Sequence, residues 1–262
     1  MLKNISFITA HFYDFAWTEL LVKNIRRSTP DSLIREIIII NQDRNKKSQI
    51  HLESLDPFVR VVEYPKSEQH FLWTRHDHAA VLNTAVKEAK GDYIFIFDSD
   101  AHPMSDQYVK NCEKILENYD AILAEDPTNP NFTHPCFMLI RQRHIQLNLT
   151  FDQGLFENCT DTGRLIGKQL LDSGECVFIC RETPAFGGKW GSIYLDSIYH
   201  HGHGSFKGVN DELLQKQIRW ENEYFREYII SHQEYNLSLR SAFSFYLKKS
   251  ALKIKFVNSQ KS

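Results

Sequence analysis

At 262 residues, with 42% hydrophobic and 24% charged side chains, the chain can bury one sizeable core and is too apolar to be disordered. A formal net charge of -2 removes the charge argument for a nucleic-acid partner, so any electrostatic specialisation must be local. Five cysteines, an odd number without paired C-x-x-C spacing, suit reduced thiols rather than a disulfide or zinc framework.

Residues 1–15 lack the continuous apolar stretch of a secretory signal, and no segment has the length that spans a bilayer; the expectation is a cytoplasmic protein. Residues 5–9, 36–40, 59–63 and 93–97 are short runs rich in β-branched or aromatic residues, bounded by polar ones, as in buried strands. Between them, Trp17, Leu21 and Ile25 recur at a helical spacing. Ala79, Leu82 and Val86 share one face of another helix, which stops at Lys90-Gly91. This alternation predicts an α/β fold with a mostly parallel sheet flanked by helices, and ligands bound beyond the carboxyl ends of the strands. Apolar runs at 121–124, 137–140, 177–180 and 193–199, with a helix over about 162–171, read as an extension of the same sheet. From Asn210 the character changes to long helical segments dense in charge and aromatics.

The stretch GDYIFIFDSD, Gly91 to Asp100, is a hydrophobic strand ending in two carboxylates, Asp98 and Asp100. Strand periodicity puts both on one side of the strand end. Like charges so placed favour a cation between or beyond them, and hard oxygen ligands suit Mg²⁺ or Mn²⁺, which commonly also binds substrate phosphates.

The longer segment HAAVLNTAVKEAKGDYIFIFDSD, from His78 to Asp100, resembles the donor-binding segment of inverting family-two-type glycosyltransferases. The resemblance implies a GT-A nucleotide-diphospho-sugar transferase fold over 1–209, with a donor half of about 1–103 and an acceptor half of about 104–209; the change of character at Asn210 sets off a helical C-terminal extension over 210–262. It implies that Asp100 holds the metal at the donor diphosphate, that Asp98 contacts metal or ribose beside Ser99, and that Asn83 faces the nucleotide. His78 stands where the family has Lys or Arg. Thr9, His11 and Phe12 after the first strand, with Asn41 and Asp43 after the second, complete the donor side. A sugar-1-phosphate nucleotidyltransferase would share fold and metal, but its Gly-rich loop is absent from AHFYDF, residues 10–15. A catalytically silent carbohydrate-binding relative is the other alternative.

Residues 136–174 resemble the family's acceptor region, in which Asp161 matches the second acid of an acidic pair and so becomes the candidate general base, with Asp152 as fallback. An Asp before Thr-Gly-Arg-Leu would also cap a helix. In YHHGHGS, Tyr199 to Ser205, imidazoles could complete the metal site: spacing to Ser205 points to His200, whereas a strand reading pairs His201 with His203. Trp190 in the Gly-rich stretch 184–191 is a candidate for an acceptor loop. The family resemblance implies an acceptor that is a glycan or a lipid-linked saccharide. Residues 239–256 carry Phe243, Leu247 and Ile254 at helical spacing among charges that are all basic. That pattern suits either a terminal helix packed on its own domain with a solvated basic face, or peripheral contact with the inner face of an anionic membrane.

Overall fold

The computed structural model describes residues 2–12, 15–43, 45–64, 75–126, 129–151, 162–184 and 191–202. The expected C-terminal extension and its basic segment 239–256 lie outside them. The first half runs β1 (Ile5–His11), α1 (Phe15–Ser28), β2 (Ile34–Asn41), α2 (Lys46–Glu53), β3 (Val59–Glu63), α3 (Arg75–Glu88) and β4 (Tyr93–Phe97). The second runs β5 (Ala101–Pro103), α4 (Gln107–Leu116), β6 (Ala121–Asp126), β7 (Asn129–Arg141), α5 (Ile166–Asp172), β8 (Val177–Cys180), β9 (Thr183–Pro184), β10 (Ser192–Tyr194) and β11 (Ile198–His200).

A seven-stranded sheet has the order β3-β2-β1-β4-β7-β6-β8. Its β1/β2, β1/β4, β2/β3 and β6/β8 pairs are parallel, and β7 alone runs against its neighbours β4 and β6. Strand alternation divides the core into two layers. Phe7, Ile37, Ile39, Phe95, Phe97 and Leu139 pack with Leu21, Val22 and Ile25 of α1, Leu52 of α2 and Tyr108 and Val109 of α4. Ile8, Ile38, Ile40, Ile94, Ile96 and Met138 face Ala79, Leu82, Ala85 and Val86 of α3 with Ile166 and Leu170 of α5. Consecutive residues Ile37 to Ile40 are all fully buried because this central strand is covered on both faces, each side chain contributing about 1.5–3 kcal/mol.

The second half departs from the expectation of one extended sheet. Residues 177–180 do join it as β8. The apolar run 193–199 instead folds on itself, because Leu195 (φ 49°) and Asp196 (φ 56°) both take the left-handed conformation and Ser197 N–H returns to Tyr194 O at 3.1 Å. That tight turn makes β10 and β11 an antiparallel hairpin. With β9 and β5 it forms a second, four-stranded sheet of order β5-β11-β10-β9. The helix expected over about 162–171 begins only at Ile166, after a turn, with Leu165 at its N-cap.

Where α3 hands over to β4, the chain passes so close to β1 that only glycine fits. A Cβ at Gly91 would stand 2.3 Å from Asn4 O and 2.5 Å from Ser6 N. The junction is tied by Gly91 N–H and Lys90 N–H to Ser6 Oγ, and by Lys90 N–H to Glu36. Gly91→Ala is therefore expected to lower the unfolding free energy in urea by about 2–3 kcal/mol. Gly174→Ala meets no atom within 4 Å and carries only the penalty of a positive φ (84°), about 1–2 kcal/mol. Equal midpoints for Gly91→Ala and wild type would contradict the packing account.

Candidate active site

The carboxyl edge of the main sheet meets the small sheet just after β4. Asp98 N–H bonds Cys136 O at 3.2 Å and Ala101 N–H bonds Asp98 O at 2.9 Å, so Asp98-Ser99-Asp100 forms a tight bend from β4 into β5. Strand β11 pairs antiparallel with β5, placing His200 opposite Ala101, and His201 N–H bonds Asp100 O at 3.0 Å. This pairing brings His200 Nε2 to 3.6 Å from Asp100 Oδ1. One ligand atom from each of Asp98, Asp100 and His200 lies within 4.8 Å of the others, an arrangement able to hold a metal ion. Asp98 is also approached from α3 by His78, whose Nε2 stands 3.6 Å from Asp98 Oδ1. Asp100 is buried and Asp98, Ser99 and His200 are half-buried, so the group is screened from water without being sealed.

The two neighbouring histidines have different surroundings. His201 is buried, packs 4.9 Å from the Trp17 ring and lies with its Nδ1 2.9 Å from Tyr199 Oη, inside a layer that also contains His102. His203, like Asp161, Asp152 and Trp190, lies outside the described residues.

The other expected donor-side residues sit at the ends of β1 and β2. Thr9, His11, Phe12 and Asn41 are buried. His11 Nδ1 lies 2.8 Å from Thr18 Oγ1, and Asn41 Oδ1 accepts Asp43 N–H at 2.9 Å. Asp43 accepts from Asn45 N–H and Ser48 Oγ, bonds that organise the start of α2. Asn83, on α3, accepts Phe151 N–H at 2.9 Å and so anchors the chain entering residues 152–161. The exit is held too: Gly163 N–H bonds Phe151 O, Thr133 Oγ1 donates to Gly163 O, and Arg164 pairs with buried Asp126 at 2.6 Å. Gly163 has φ 69°, a left-handed conformation that favours glycine at this place.

Sequence reasoning missed several residues here. Gln42 is fully buried, and neither atom of its amide has a hydrogen-bond partner among the described residues; Thr9 Oγ1 and Asn41 Nδ2 are likewise unpaired. On β7, His134 and Cys136 stand beside the site, His134 with its ring 5.4 Å from that of His200. Burial, reinforced by Asp98, pushes the Cys136 thiol well above its ordinary range. The HPC triplet of residues 134–136 carries no strand-period signal that would have singled these side chains out.

The family model described as glycosyl transferase family 2 matches residues 7–134, from within β1 to the edge of this site. The chain is a glycosyltransferase with a family 2 domain. The fold agrees: the glycosyltransferase aligns over 97% of its length, and 81% of the other's, with a mannosyltransferase from Pyrobaculum calidifontis solved with GDP-Man and Mn²⁺, at 12% identity and a TM-score of 0.53. It aligns over 68% of its length with GalNAc-T7 solved with UDP, GalNAc and Mn²⁺, at 12% identity and a TM-score of 0.52, spanning 42% of that chain. No curated protein matches the glycosyltransferase in sequence. The likenesses establish a GT-A fold. Among the described residues no helix is long and apolar enough to cross a membrane.

Beneath the carboxylates, His102 is fully buried, stacks 5.2 Å from Trp17 and has no partner for either ring nitrogen among the described residues. Burial, then the nearby His201 and His200, holds its pKa well below the usual 6.5. The folded form therefore keeps His102 neutral while the unfolded chain takes up a proton below about pH 6.5, so stability present above that pH falls as pH is lowered. Each pH unit below it removes up to about 1.4 kcal/mol through this group. His102→Phe should flatten the urea-midpoint profile between pH 7 and pH 5 relative to wild type. An unchanged profile would show that His102 does not bear the acid sensitivity.

Proposed function

We propose that this glycosyltransferase moves a sugar from a nucleoside diphosphate donor to a hydroxyl of a saccharide or lipid-linked acceptor, using Mn²⁺ or Mg²⁺ at Asp98, Asp100 and His200. The observation that carries it is the convergence of these three side chains at the carboxyl edge of the sheet. Two carboxylates and one imidazole are an oxygen-dominated set that fits a hard divalent ion with room for phosphate oxygens. When bound, such an ion would offset the charge that grows on the departing diphosphate. The Mn²⁺ complexes of the two similar structures support the same reading.

The chain's own groups account for the rest. His78 beside Asp98 can donate to donor oxygens at the start of α3, where the helix N-terminus also favours negative charge. The buried unpaired groups of Thr9, Asn41 and Gln42 offer donors and acceptors that a nucleobase or ribose would satisfy. Asp161 is the proposed general base, taking the proton of the acceptor hydroxyl on the face opposite the leaving diphosphate, so that the anomeric configuration inverts. Its support is the motif match together with the anchoring of Phe151 and Gly163 on either side of its segment. Helix capping does not explain the residue, since α5 starts at Ile166.

Two substitutions separate these roles. Asp100→Ala should retain the wild-type fold by circular dichroism and lose more than about tenfold in Mn²⁺-dependent affinity for a nucleoside diphosphate; unchanged metal-dependent affinity would refute the assignment. Asp161→Asn should bind donor normally and lose about 10²- to 10⁴-fold in kcat. Near-normal turnover would move the base elsewhere, Asp152 being the next residue to replace.

A further inference from the structure

Strand β7 does not pass the site as a regular strand. Leu123 of β6 pairs with Met138, yet the next residue, Ala124, pairs with His134, so residues 135–137 bulge out of the β6 ladder while Phe137 stays paired with Phe97 of β4. Bulges re-aim side chains, and this one contains Pro135, which cannot donate to a ladder bond. Its result is that one ligand atom each from His134, Cys136 and His200 falls within 4.8 Å of the others. Cys136 N–H donates to His134 Nδ1 at 3.1 Å, which keeps that imidazole over the bulge. His200 thus belongs to two sets at once: an oxygen-rich one with Asp98 and Asp100, and a sulfur and nitrogen one with His134 and Cys136.

Hard and soft cations divide along that line. Carboxylates suit Mg²⁺ and Mn²⁺, whereas thiolate and imidazole together select Zn²⁺ and related ions, commonly with three protein ligands and one open position. We propose that His134, Cys136 and His200 form a site for a thiophilic divalent cation such as Zn²⁺, and that an ion bound there draws His200 from the carboxylates and inhibits transfer. The inhibitory part rests on the functional reading above; the binding part does not. Coordination breaks the Cys136 S–H bond, releases the proton to solvent and forms a metal–thiolate bond, with no change of oxidation state. Glu182 stands close by through Tyr194, whose hydroxyl donates to its Oε2 at 3.4 Å, and its negative charge favours a cation there. On this account the same histidine that completes the productive metal set makes the enzyme sensitive to zinc.

The test uses the full, reduced chain and Co²⁺ as an optical probe, because cobalt–thiolate charge transfer gives an intense near-ultraviolet band that oxygen and nitrogen ligands do not. Wild type should develop the band and lose it on titration with Zn²⁺; Asp100→Ala should keep it, and Cys136→Ser should lack it. His134→Gln should weaken Zn²⁺ binding by at least about tenfold, measured against a chromophoric chelator, which covers the case in which Cys136→Ser is poorly folded. In transfer assays Zn²⁺ should inhibit wild type competitively with Mn²⁺, and at least about tenfold more Zn²⁺ should be needed for either variant. A band that survives in Cys136→Ser, or Zn²⁺ affinity unchanged in both variants, overturns the site. Inhibition that Mn²⁺ cannot relieve overturns the sharing of His200. Absence of transfer from every nucleotide sugar would instead refute the proposed function, while the cobalt spectrum would still decide the cation site.

Discussion

Asp98 and Asp100 present oxygens within 4.8 Å of each other at the end of a strand whose preceding residues Ile94 to Phe97 are buried. Two negative charges at that spacing repel by roughly 3–4 kcal/mol at an effective dielectric near 20. The packing of β4 on both faces fixes the strand end, so the pair cannot relax by moving apart at little cost. Instead the surroundings supply compensating partners, His78 from α3 on one side and His200 from β11 on the other. The mostly parallel sheet, the helix α3 that hands over to β4 at Gly91 and the small second sheet all bear on keeping this electrostatic arrangement in place.

The second sheet does the most specific part of that work. Pairing of β11 with β5 sets His200 across from the residue following Asp100, and it turns His201 inward against Trp17 and Tyr199. Adjacent histidines thus acquire different surroundings: one faces the carboxylates, while the other packs in a buried aromatic layer above His102. That layer is demanding, since buried His102 remains neutral only against the tendency of lower pH to charge it. A shift of β11 by one residue would exchange the two positions and dismantle both the acid pair's partner and the layer beneath it.

Much of the first half was legible because its physics is local. Ile37 to Ile40, the spacing of Trp17, Leu21 and Ile25, and the break at Lys90-Gly91 each report a period or a steric limit that a reader can see without knowing the neighbours. The second half hides its structure in pairings made across the chain. Leu195 and Asp196 form a left-handed turn with no glycine or asparagine to announce it, so one apolar run concealed two strands. Strand β7 lies antiparallel within an otherwise parallel sheet and bulges beside the site, which is why His134 and Cys136 were not anticipated. The carboxylate pair was readable as a motif, but that His200 rather than His201 stands beside it depends on strand register, a long-range property. Gln42 and His102 gave no local signal at all; their distinguishing feature is buried polar atoms without a partner among the described residues.

The central claim is that a divalent ion binds between the two aspartates and one particular histidine. Pulsed electron paramagnetic resonance of Mn²⁺ bound with a nucleoside diphosphate reads this directly, since a coordinated imidazole nitrogen modulates the echo. The account predicts an imidazole coupling in wild type that persists in His201→Ala and disappears in His200→Ala. A spectrum without nitrogen coupling, or one that loses it in His201→Ala and keeps it in His200→Ala, would contradict the account.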